Sequence, residues 1–414
     1  MVKLIDIALA NNPATRQAWE NARAREMEIK QAESEWYPQV TAAGDFTKEK
    51  KVAHPKDDNL NVRNYGMQAE ATYMLLDFGG RDAGVEEATQ LILAANFEFN
   101  QALQDLMLDT EKGYYGLYSA QSSLEAARMD ADDAEAALIA ARRRFQVGLV
   151  SKLDALQAES NYDDSLYSLE EAKGNLKSAE GTLAEILGFS SDTKFEIAVP
   201  SGEMPAGITE EDVSQLIEEG LQRRPDIAAS RANLRAKEAA VKAANSDLWP
   251  TLNLGGSAEK RWYEYFGESK ANKDHYDYIG YLNVKWDIFD GFYNLARRNA
   301  ARRDAAAERE KLKQAELEAS RDIWTKYYNF KTAARKLVFS EAFLDAAQAS
   351  HKLAADGYST GLKSILDLLK AQSQLSDARS KLIESRKDLF VSLAELIHAT
   401  GSLHAKGSST GVDQ

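Results

Sequence analysis

Asp154 and Asp367 are the two side chains whose surroundings the sequence repeats. Each follows a glycine by six residues, Gly148 and Gly361, and each glycine follows an aromatic by three, Phe145 and Tyr358. An aspartate a few residues into a helix is favoured by the helix dipole. The same carboxylate can instead pair with a group on another element, or draw cations into an opening. Both uses stay open at this level. Asp130, Asp132 and Asp133 share only composition with a calcium loop, lack its glycine, and are read as exposed surface. Asp77-Phe78-Gly79 has the letters of a kinase motif without a glycine-rich phosphate loop or catalytic loop, so it is read as a strand exit. Arg142 to Arg144 are read as a solvated face. His54, His275, His351, His398 and His404 are scattered and suggest no metal site. No nucleophile stands beside a base and no phosphate cradle accompanies one, so neither an enzyme nor a cofactor is expected.

Two matching stretches position the aspartates: RFQVGLVSKLDALQAES, residues 144 to 160, and GYSTGLKSILDLLKAQS, residues 357 to 373. Glycine where a helical pattern pauses predicts a backbone of positive φ, hence a tight turn between antiparallel helices. Before the first turn, apolar residues from Phe99 to Phe145 alternate at spacings of three and four, a coiled-coil period. From Gly80 to Gly148 this makes a helix of roughly 67 residues, on the order of 100 Å long. A shorter helix runs from about Ser151 to Leu187 and stops at Gly188. Leu4 to Glu35 also reads as helix, broken at Asn12-Pro13.

Between these helices the pattern changes to period two. Gln39 to Phe46 and Tyr65 to Leu76 alternate, as do Thr251 to Ala258 and Tyr278 to Ile288. The first pair is separated by a charged loop from Lys48 to Asn64. The loop of the second pair is aromatic, with Trp262, Tyr263, Tyr265, Phe266 and Tyr276, as an interfacial girdle requires. The second half repeats the first at an offset of 212 to 213: Pro13 with Pro225, Pro38 with Pro250, Gly148 with Gly361, Gly188 with Gly401. The expected organisation is a first repeat over 1–200 and a second over 201–401. A linker runs from Thr193 to Gly207, and a disordered tail covers 402–414.

Composition narrows the class. A net charge of −14 disfavours a nucleic-acid partner. The chain has no cysteine, so there is no disulfide, no thiolate metal site and no lipid-anchoring Cys. A mean hydropathy of −0.47 and the lack of a long apolar run exclude a helical membrane span, but not β-strands. The first residues lack a signal-peptide pattern, so if the protein is exported this is expected to be a mature or trimmed chain.

Taken in order, the WYP and LWP approaches to the first strand of each half, the LLDFGG and IFDGF exits from the second, and the VGL and TGL turns resemble the TolC-type outer-membrane efflux and secretion channel family. The likeness covers Leu4 to about Gly401. It implies a mostly α fold with a small β part: duplicated helical hairpins forming a tunnel, and four strands per chain joining a homotrimeric twelve-stranded barrel in the outer membrane. It implies a conduit for drugs, toxic compounds or secreted proteins, working with a periplasmic adaptor and an inner-membrane pump. By the same resemblance, Asp154 faces Tyr358 and Lys363 as gate links and Asp367 lines the periplasmic entrance. The tips Val147, Gly148, Leu149, Thr360, Gly361 and Leu362 meet the adaptor. Where the best-known member has an arginine this chain has Lys363, a single-point donor, and where that member has a second entrance acid it has Lys370. Physics points the same way, because four strands cannot close and an open edge is not tolerated in lipid. A soluble periplasmic coiled-coil adaptor or scaffold is the alternative. It would share the hairpins but have no need of strands with aromatic ends.

Overall fold

The computed structural model describes residues 1–51, 60–193, 213–266 and 273–402. The linker expected after Thr193 and the tail expected after Ser402 lie outside the described residues. In chain order the elements are α1 (Val2–Asn11), α2 (Pro13–Glu33), β1 (Gln39–Lys51), β2 (Leu60–Leu76), α3 (Gly80–Gln146) and α4 (Lys152–Ile186). The second series is α5 (Val213–Arg223), α6 (Pro225–Ser246), β3 (Thr251–Phe266), β4 (Lys273–Lys285), α7 (Tyr293–Thr360) and α8 (Ile365–Ala399). The long helices α3 and α7 have 67 and 68 residues and the short ones 35 each. Pro13 and Pro225 each open a helix, where a missing N–H costs nothing.

The chain divides into two compact units. One comprises Glu20–Asn96 and Ala229–Lys313 and holds the sheet, in the order β1-β2-β3-β4 with every neighbour antiparallel. The register pairs Val40 with Ala71, Phe46 with Tyr65, Tyr65 with Trp262, and Ala258 with Tyr278. One face therefore collects Val40, Phe46, Met67, Leu254, Tyr278, Leu282 and Val284, all exposed. The other collects Asp45, Asn64, Gln68, Glu70, Ser257, Glu259 and Arg261. Along β2 the polar-face positions Val62, Asn64 and Gly66 are buried, while Tyr65, Met67, Ala69 and Ala71 on the apolar face are exposed. The sheet is thus inverted relative to one in water.

The strands are longer than the alternation predicts. β1 continues to Lys51 and β2 begins at Leu60, because ladder bonds between charged residues such as Lys48 and Arg63 need no apolar face. Trp262 to Phe266, expected in a loop, lie on β3, where consecutive aromatics hide the period. In contrast, β4 ends at Lys285, short of Ile288. Its partner Thr251 follows Pro250, which has no N–H for the ladder, and Trp286 instead donates to the Leu248 carbonyl at 3.2 Å. Asp77-Phe78-Gly79 is a strand exit: Asp77 accepts from the Arg81 N–H at 2.6 Å while Phe78 and Gly79 take φ of 54° and 89°. Asp290 repeats the device on Asn294 at 2.8 Å, so each exit caps a long helix.

The other unit comprises Met1–Trp19, Phe97–Ala228 and the chain from Gln314. Leu117, Leu183, Ile227 and Ile323 are its fully buried anchors, each worth about 1.5–3 kcal/mol of burial. Elsewhere the inward positions are largely alanine, including Ala134, Ala141, Ala158, Ala378 and Ala399. Small side chains let neighbouring helices approach closely.

Candidate functional site

Both hairpin turns are built alike. At the first, Gly148 has φ of 75° and the Leu149 N–H returns to the Arg144 carbonyl at 2.8 Å. At the second, Gly361 has φ of 83° and the Leu362 N–H returns to the Gly357 carbonyl at 2.8 Å. Each closes its long helix with a left-handed glycine. The short helices then open on a serine. The Ser151 oxygen accepts from the Asp154 N–H at 3.2 Å while the Asp154 carboxylate accepts from the Ser151 N–H at 2.9 Å. Ser364 and Asp367 repeat this at 3.2 and 3.0 Å. Within one chain, then, both repeated aspartates complete capping boxes.

Asp367 is held below the usual carboxylate range, first by the backbone and side chain of Ser364 and further by Lys363 and Lys370. A group with a depressed folded-state value contributes fully above its ordinary range and loses that contribution as pH falls through the lowered value. The α8 cap therefore survives acidification into a range where an isolated aspartate is already protonated.

Among the described residues Asp154 makes no hydrogen bond to Tyr358 and no ion pair with Lys363 in the same chain. It does lie close enough to Tyr358 for its charge to act. Burial raises the Tyr358 phenol, Arg144 opposes that and Asp154 adds to it. Tyr358 is 3% exposed and packs with Leu138, Ala141, Ala158, Ile365 and Leu368, yet its hydroxyl finds no partner. Phe145, its counterpart, is exposed. The residue that joins the two hairpins is Arg144, whose guanidinium stacks 4.8 Å from the Tyr358 ring centroid and donates to the Tyr358 carbonyl. The expectation of a solvated face fails there, although it holds better for Arg142, which makes an exposed ion pair with Glu159. The signal was present as an arginine beside the turn, but its partner lies 214 residues away. Val147, Leu149 and Leu362 project at 69, 68 and 84% exposure, with Gly148, Thr360, Gly361 and Lys363 also exposed.

Further along the same helices two sets of ion pairs and one histidine–carboxylate contact hold the hairpins. Arg379 on α8 pairs with Asp130 and Asp133 on α3, which corrects the reading of those acids as free surface. His398 meets Asp105 at 2.8 Å. Glu395 receives Lys112 at 2.7 Å and Lys326 at 2.8 Å. Burial alone would raise the Glu395 carboxyl, but its hydrogen bonds from Lys112 and Lys326 bring it below the usual glutamate range. The tie is thus fully formed above the usual glutamate range and is lost only as pH falls through the lowered value. Acidification in that window should lower the thermal midpoint, measured by circular dichroism, and Glu395→Gln should lower it at neutral pH while flattening that acid response.

The profile of the family described as Outer membrane efflux protein matches residues 4–189 and 216–402. Protein CyaE of Bordetella pertussis is 27% identical over 97% of this chain and 84% of its own length. Outer membrane protein TolC of Escherichia coli is 22% identical over 98% of this chain and 82% of its own. Among solved structures, the outer-membrane channel OprN superposes with a TM-score of 0.83 at 22% identity, covering 97% of this chain and 89% of that one. The open state of the Neisseria gonorrhoeae MtrE outer membrane channel gives 0.77 at 20% identity, covering 97 and 88%. Repeated hairpins, an inverted four-stranded sheet and a family match over both halves lead to one conclusion: the chain belongs to the outer membrane efflux protein family and is a non-enzymatic efflux channel of the TolC type.

Proposed function

We propose that three copies assemble one channel-tunnel, each giving four strands to a twelve-stranded barrel, and that the hairpin tips form a periplasmic entrance. The observation that carries this is the inverted sheet. Its apolar face is exposed, its polar face is buried or part-buried along β2 and β3, and β1 and β4 are both left as open edges. Lipid resolves the first feature and copies of the same chain resolve the second, because a barrel must close to be stable in a bilayer. Three chains of four strands give a barrel of workable size. A periplasmic adaptor and an inner-membrane pump supply cargo and energy, a reading supported by the family match. The cargo is drugs, other toxic compounds or secreted proteins.

At the entrance Asp154 links to Tyr358 and to Lys363 of a neighbouring hairpin, drawing the tips together. The exposed Lys363 supports this role, whereas the Tyr358 hydroxyl is buried in its own chain and has to be uncovered before it takes part. The apolar tips at Val147, Gly148, Leu149, Thr360, Gly361 and Leu362 receive the adaptor. Asp367 lines the opening, where three carboxylates around an axis attract cations. Asp367→Asn should reduce the cation preference, read as reversal potential across a salt gradient, and unchanged selectivity would remove Asp367 from the entrance. Sedimentation in detergent tests the assembly. A trimer that needs detergent supports the channel, whereas an oligomer soluble without it would favour a coiled-coil adaptor or scaffold.

A further inference from the structure

Two side chains on the polar face of the sheet lie flat across a neighbouring strand, and each does so over a glycine. Arg261 on β3 reaches across β2 to Asp45 on β1, with bonds of 3.2 and 3.3 Å. It also donates to Asn64 at 2.9 Å and to Glu259 at 2.5 Å. Gly66 stands directly between Asp45 and Arg261 in the register. A methyl group there would overlap the Asp45 carboxylate and approach the Arg261 guanidinium carbon to 3.2 Å. Tyr281 on β4 reaches across β3 to Glu70 on β2, donating at 3.1 Å. Gly255 is its cross-strand partner, and a methyl group there would overlap the Tyr281 ring.

Neither glycine needs a left-handed backbone, and glycine weakens a strand interior. The purpose is therefore space above the strand. From this geometry we infer that Gly66 and Gly255 set the bore of the duct. They are notches in which Arg261 and Tyr281 fold against the wall, and without them a guanidinium and a phenol from each chain would stand into the path of the cargo. The inference rests on the polar face being the duct wall. The obstacle would be side chain alone, so alanine at either site disturbs the bridge and not the backbone. Gly280 is the matched control, because a methyl group there meets nothing within 4 Å.

The test uses the full-length protein in detergent, with phenylglyoxal for arginine, tetranitromethane for tyrosine and peptide mass mapping as the readout. Gly66→Ala should raise modification of Arg261 severalfold, Gly255→Ala should do the same for Tyr281, and Gly280→Ala should change neither. Single-channel conductance should fall in Gly66→Ala and recover in Gly66→Ala/Arg261→Ala. Should the alanine variants fail to assemble, Asp45→Ala/Glu259→Ala and Glu70→Ala remove the carboxylate acceptors of the same two side chains, and unchanged reactivity in them would overturn the inference equally. The absence of cysteine allows the wall itself to be checked with Gln68→Cys and Met67→Cys in reconstituted vesicles and a water-soluble thiol reagent. Labelling at Gln68→Cys with unchanged Arg261 and Tyr281 rates would sink the notches and keep the wall. Labelling at Met67→Cys alone would sink the wall, and the inference with it.

Discussion

Gly188→Ala should destabilise the helical unit by about 2–4 kcal/mol, combining left-handed strain with a backbone collision. Gly188 ends α4 with φ of 78°, and an added methyl carbon would come within 2.7 Å of the Asn11 carbonyl carbon and oxygen. Those atoms are main chain, so no side chain can swing aside. The neighbouring Asn12 amide already donates to the Ile186 carbonyl at 2.9 Å, which pins the same corner. Gly148→Ala is the comparison. It has nearly the same φ, 75°, but a methyl group there meets nothing within 4 Å. It should show only the strain, about 1–2 kcal/mol. Thermal midpoints followed by circular dichroism should therefore fall in both variants and much further in Gly188→Ala. Equal falls would show that the Asn11 contact carries no weight.

Arg144→Ala should cost about 2 kcal/mol through a lost cation–π contact and a charge-assisted hydrogen bond. The same change should free the tips of the two hairpins in one chain, because the guanidinium is the group that joins the end of α3 to the last turn of α7. Arg144→Lys should recover only part of the loss, since an ammonium cannot both stack flat on Tyr358 and hold its carbonyl as a planar fork does. Arg142→Ala should cost well under 1 kcal/mol, as expected for an exposed ion pair such as the one with Glu159. A double-mutant cycle between Arg144 and Tyr358, read by thermal midpoint, measures the coupling directly. A coupling near zero would contradict the stacked arrangement.

Much of this architecture is legible in the sequence. Positive φ at Gly148 and Gly361, the break at Asn12-Pro13 and the uninterrupted helix up to Gln146 all follow from local rules: glycine tolerance, proline's missing donor and a sustained 3.5 period. The faces of the strands were legible too, because alternation survives wherever one side meets an apolar surroundings. Strand ends were not, since Lys48 to Lys51 continue the ladder with no hydrophobic signal. Arg144 was missed for a related reason. Its context within the chain is three consecutive arginines, and only the fold brings Tyr358 under one of them. Asp154 shows the remaining ambiguity in physical form. A carboxylate has several acceptor sites, so capping Ser151 in its own chain leaves capacity for a partner on another.

That spare capacity makes Asp154 the place to test the gated-channel account. Planar-bilayer conductance of the purified wild-type protein should give small, cation-leaning steps, and Asp154→Ala should enlarge them by releasing the link to Tyr358 and Lys363. Steps that do not change in Asp154→Ala would keep the channel and contradict the gate, and no steps at all from a water-soluble oligomer would contradict the channel itself.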